Sequence, residues 1–105
     1  MKSNSDIGGN DINVEVDYSG LNNDEDWGRV SFNFINNGID LISELETLVE
    51  SLNKSKNITE FINVLEDFNK EKLNGWTGQA SEDSNYLMNG VVSIINQVLD
   101  KKYNK

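Results

Sequence analysis

The chain contains no cysteine and no histidine in 105 residues, and a single arginine, Arg29. Without cysteine there is no disulfide framework, no thiolate nucleophile and no zinc–thiolate site, a composition that suits a reducing compartment. Without histidine the commonest general base is missing as well. Catalysis by paired carboxylates needs two acids across a cleft, and a chain of this length buries only one modest core. We therefore expect no enzyme, no cofactor and no metal. No apolar run reaches membrane-spanning length, and residues 1–10 lack the apolar segment of a signal peptide. They read as a disordered leader to a single domain over 11–105 in a cytoplasmic protein.

What is present is acid. The formal net charge is −9, and it is unevenly placed. Residues 1–52 hold 11 acids and two bases, whereas residues 53–105 hold seven of each. Phosphate binding requires lysine and arginine, so direct contact with nucleic acid or anionic lipid is disfavoured, and encounter with a basic partner is favoured. Asn22, Asp24 and Asp26 alternate like the first ligands of a calcium loop. Trp27 stands where that loop needs glycine, however, and Asn33 where it needs a bidentate acid.

Two runs alternate apolar and polar residues, Ile12 to Tyr18 and Arg29 to Ile35. Period two is the pattern of a strand with one buried face, so the pair predicts an antiparallel hairpin. Its inner face would carry Ile12, Val14, Val16, Tyr18, Val30, Phe32 and Phe34. One register sets Asp17 opposite Arg29. Ser19 to Gly28 would be the connecting loop, with Asp24, Glu25 and Asp26 at its acidic centre, and Asn36-Asn37-Gly38 would close the second strand.

Helical spacing takes over afterwards. Leu41, Ile42, Leu45, Leu48, Val49 and Leu52 recur on one face of a helix over about residues 39–53. That helix sets like charges four residues apart at Asp40/Glu44 and Glu46/Glu50, each pair costing roughly 0.2–0.5 kcal/mol. Asn57 and Glu60 resemble a capping box, opening a helix with the stripe Phe61, Ile62, Leu65 and Phe68 and a stop at Asn74-Gly75. Ser81 reads as the cap of a third helix reaching about Lys102, with Leu87, Val91, Ile94, Ile95, Val98 and Leu99 inside. Gly90 in its middle suggests a close crossing. The expected fold class is thus α+β: a two-stranded hairpin followed by three amphipathic helices.

Two resemblances bear on role. Gly75-Trp76-Thr77-Gly78-Gln79-Ala80 resembles the W-x-G turn of the small helical-hairpin proteins secreted by the type VII system of Gram-positive bacteria, which implies an all-helical secreted protein. In size, acidity, absence of cysteine and AT-rich codon usage, the whole chain is similar to phage-encoded anti-CRISPR and anti-restriction inhibitors, and to immunity proteins of nuclease toxins. That likeness implies a non-enzymatic inhibitor. It would present acids to the basic nucleic-acid-binding surface of a larger protein such as a host-defence nuclease. The surface expected to make that contact comprises Glu15, Asp17, Asp24, Glu25, Asp26, Asp40, Glu44, Glu46 and Glu50, with Trp27 as an aromatic anchor. A generic acidic interaction module is the remaining alternative.

Overall fold

Asp24 begins a helix. In the computed structural model, which describes residues 13–103, its carboxylate accepts the backbone N–H groups of Asp26 and Trp27 at 2.9 and 3.2 Å. Glu25 and Asp26 occupy the first turn, where the helix dipole favours negative charge. The element order is α1 Ser19–Asn22, α2 Glu25–Asn36, α3 Leu41–Lys54, α4 Ile58–Phe68, a π-helical turn Asn69–Leu73, α5 Asn74–Ala80, a 3-10 turn Ser81–Asp83 and α6 Ser84–Lys102. There is no strand among the described residues. The expected α+β hairpin is therefore corrected to an all-helical fold.

The second expected strand is α2. Trp27, Val30 and Phe34 are buried at i, i+3 and i+7, a helical face. Phe32, assigned to the hairpin's inner face, is 64% exposed. Residues 30 and 34 share a face in either conformation, so only Phe32 and Trp27 distinguish the two readings. The stop at Asn36-Asn37-Gly38 holds, but it ends a helix. Gly38 has φ +86°, its N–H donates to Ile35 O, and the N–H of Ile39 donates to Phe34 O, both at 2.9 Å. This is a Schellman cap, and its left-handed residue is the position that favours glycine.

The later helices keep their expected stripes. Asp40 caps α3 through the N–H and hydroxyl of Ser43, and Leu41, Leu45, Leu48, Val49 and Leu52 are buried. Asn57 caps α4 by accepting from Glu60 N–H at 2.9 Å. The return bond of the capping box lands one residue early, from Lys56 N–H to the Glu60 carboxylate. In α6, Leu87, Val91, Ile94 and Val98 are buried, while Ile62 of α4 is exposed.

Asn74-Gly75 does not stop the second helix. Phe68, Asn69, Leu73 and Asn74 all have right-handed helical dihedrals, so residues 58–80 form one rod. The π-turn has a reason in the sequence. Phe61, Val64 and Phe68 face inward at α-helical spacing, but the next buried apolar residue is Leu73, five positions on, followed by Trp76. A plain α-helix would turn Lys72 inward. One extra residue per turn restores the phase and places Leu73 and Trp76 in the core. The rod breaks at Ser81 (φ +59°), which makes no side-chain cap bond to α6, contrary to its expected role.

Helix α6 packs against α2, α3 and α5. Its crossing with α2 depends on Gly90. A Cβ there would lie 2.5 Å from both Cε3 and Cζ3 of Trp27 and 3.0 Å from Cδ2 of Leu21. Trp76 meets Phe34 and Phe68 edge-on, with ring centroids 6.1 and 5.4 Å away.

Gly90→Ala should destabilise the chain by about 1–3 kcal/mol through overpacking, despite a gain of about 1 kcal/mol in helix propensity. Urea unfolding checks this, and unchanged stability would refute the contact. Deleting Lys70 should convert the π-turn to α-helix with Leu73 and Trp76 still inward, leaving circular dichroism and thermal midpoint near the parent values. Deleting Asn63 instead should unfold the chain, because it rotates everything after it by about 100°.

Candidate functional site

Residues 13–18 carry no regular secondary structure and lie across α3 and α6. Their alternation is as expected: Val14 is buried, Val16 and Tyr18 are half-buried, and Asn13, Glu15 and Asp17 are exposed. Ile12 lies outside the described residues. The backbone partner is not a strand but two side-chain amides. Asn53 of α3 accepts the Val14 N–H at 2.8 Å and donates to the Val14 carbonyl at 3.0 Å. Gln97 of α6 accepts the Asp17 N–H and donates to the Asp17 carbonyl, each at 2.9 Å. Each amide supplies one acceptor and one donor, as the peptide group of a neighbouring strand would. Beside this strap, the buried Lys102 donates to the Asn53 carbonyl at 2.9 Å. The Tyr103 hydroxyl pairs with Ser55 Oγ at 2.9 Å.

The expected acidic surface is divided by these arrangements. The Asp17 carboxylate accepts Ser19 N–H at 2.9 Å. Its pKa is lowered chiefly by that bond and then by the Ser19 hydroxyl. Asp17 does not meet Arg29. That guanidinium instead reaches Asp26 at 3.2 Å and Asp83 at 3.3 Å; the Asp83 hydrogen bond is the main reason its own pKa is raised. Asp24 and Asp40 are helix caps. Glu25 is exposed in the first turn of α2. Glu44 pairs with Lys72 at 2.9 Å. Trp27 is 2% exposed and belongs to the core, so it is not available as a surface anchor.

Three of the expected acids border one broad depression without gathering into a cluster. Glu15 from the strap and Glu46 and Glu50 from α3 line a shallow depression with Val16 and Tyr18 on its apolar side. The Tyr18 phenol is pushed above its ordinary value, first by burial and then by the Glu46 carboxylate. Across Thr47, which lines both hollows, α3 forms with α4 and the π-turn a cavity of about 280 Å³, whose lining includes Leu48, Val64, Phe68, Asp67, Glu71, Glu44 and Lys72 along with Thr47 and Ser51. Neither Asn53 nor Gln97 was legible as a strap ligand, since an amide on a helix is ordinary and nothing in the chain marks its partner. Among the described residues no group of three metal-capable side chains gathers. Trp76-Thr77-Gly78 lies inside α5 rather than in a turn, with Thr77 Oγ1 donating to the Asn74 carbonyl at 2.9 Å.

Replacing both Asn53 and Gln97 by alanine should release the strap. The Val14 and Asp17 amides should lose hydrogen-exchange protection, with a stability loss of roughly 1–2 kcal/mol; retained protection would refute the clamp. Tyr18 gives a pH test. Its raised folded pKa means that its stabilisation is fully present below the ordinary phenol value of about 10. That stabilisation is lost as pH rises through the folded value. Titration of the Tyr18 ring by NMR should show this, and Glu46→Gln should lower the midpoint.

No protein-family model, curated protein or solved structure matches the chain, so its functional reading rests on this geometry and on the residues that make it.

Proposed function

We propose that the chain is a non-catalytic helical protein of the kind exported by type VII secretion systems. One observation carries this reading: Trp76-Thr77-Gly78 lies near the end of the rod over residues 58–80, with Gln79 and Ala80 between it and the break at Ser81 that leads to helix α6. The resemblance calls for W-x-G in the turn between two helices; here the motif is helical and lies just short of such a break, and the helical character of the described residues supports the reading. The chain departs from a simple helical hairpin in two ways. Helices α2 and α3 precede the rod, and Trp76 is covered by Phe34 and Phe68 rather than left at an open turn.

The test is export from a Gram-positive host with and without a working type VII system. A Cβ at Gly78 meets nothing within 4 Å, so Gly78→Ala leaves the packing intact while altering the motif. The reading expects the parent chain in the medium only when the system works, and a folded Gly78→Ala variant retained in the cells. Equal release of both proteins, or release without the system, would overturn it.

A second reading has its own observation, the depression that Glu15, Glu46 and Glu50 line beside Tyr18. On this reading the chain is a cytoplasmic, non-enzymatic inhibitor that occupies the basic nucleic-acid-binding surface of a larger protein, such as a host-defence nuclease. Its acids would steer association and make it sensitive to salt. A pull-down should then capture a basic nuclease, and reversing all three charges to lysine should abolish its inhibition and flatten the salt dependence. Inhibition that survives would reject it.

A further inference from the structure

We infer that the cavity between α3 and the π-turn is a docking site for an arginine side chain of a protein partner. The cavity's size points to one side chain. At about 280 Å³ it lies at the small end of the roughly 300–1,000 Å³ typical of small-molecule pockets. Its floor is apolar, formed by Leu48 of α3 and Val64 and Phe68 of α4. Its rim carries three carboxylates, Glu44, Asp67 and Glu71, against one ammonium, Lys72. Glu44 holds Lys72 at 2.9 Å, so this pair is matched within itself. Asp67 and Glu71 are exposed and make no ion pair among the described residues. The cavity therefore offers an apolar surface with two uncompensated carboxylates at its mouth.

Arginine answers both halves of that surface. Its three methylenes cover apolar ground while the charged head stays at the water boundary. Its planar guanidinium presents several donors to carboxylates in a fixed fork. The π-turn contributes to the arrangement. Glu71 and Lys72 lie within it, and its extra residue lets Leu73 turn to the core while Glu71 and Lys72 stay at the rim. The site is separate from the depression lined by Glu15, Glu46 and Glu50, with Thr47 of α3 between them and touching both, and it depends on neither reading of function above.

The test uses the full chain and two short peptides, acetyl-Ala-Ala-Arg-Ala-Ala-amide and the same peptide with citrulline, which keeps the shape and removes the charge. In an NMR titration the arginine peptide should give saturable shifts at the amides of Leu48, Val64 and Phe68, and the citrulline peptide should not. Asp67→Asn combined with Glu71→Gln should weaken binding at least about fivefold. Glu15→Gln combined with Glu50→Gln removes the same charge elsewhere and should leave binding unchanged. Both pairs are exposed, and circular dichroism checks that each variant is folded. Equal binding of citrulline, equal weakening by the two double variants, or shifts spread over every acidic surface would each overturn the assignment.

Discussion

The packing of this chain depends on one indole over one missing side chain. Trp27 occupies the space that any residue larger than glycine at position 90 would need. That contact sets α2 across α6, with Leu21 of α1 closing over the same point. Two turns further along α2, Phe34 reaches Trp76 near the end of the rod, and Trp76 in turn meets Phe68. Helix α2 thus touches both arms of the α5–α6 junction. The nearby cores of α3 and α4 follow from ordinary leucine and phenylalanine stripes, and α3 packs directly on both α6 and α4.

The strap shows how a segment without regular secondary structure can be held without a sheet. A backbone group withdrawn from water needs a partner. Here two amides on separate helices provide donor and acceptor pairs for Val14 and Asp17. An open strand edge would invite pairing with another chain. A strap clamped at two residues, with exposed Glu15 between them, keeps its apolar side chains inward and places acids outward. The same clamp brings Glu15 to the side of α3 that carries Glu46 and Glu50.

The acidity of the N-terminal half is less uniform than its charge count suggests. Asp24 and Asp40 satisfy helix N–H groups, Asp17 closes a local turn, Asp26 engages Arg29, and Glu44 engages Lys72. The like-charge pair Asp40/Glu44 is relieved at both ends by these partners. Glu46/Glu50 is not relieved in that way, and it faces the strap depression. Charge counted along the chain therefore overstated the free negative surface. Local hydrogen bonding decided which carboxylates remained open.

The sequence by itself determined the cap at Asn57, the stop at Gly38, the buried stripes of α3 and α6, and the alternating faces of residues 13–18. Each depends on interactions within a few residues, so each is written locally. Asp24 followed by Glu25 and Asp26 is an equally local helix start, but the alternation after it predicts a loop there because Val30 and Phe34 satisfy strand and helix alike. Only the tertiary structure decided that conflict, by giving Trp27 a place against Gly90 that a strand could not offer. It also decided the π-turn, which exists because Leu73 and Trp76 must meet a core built from other helices. Likewise it set the destinations of Asn53 and Gln97, whose partners lie 39 and 80 residues away. Periodicity states which residues can share a face, whereas burial depends on what the rest of the chain places against that face.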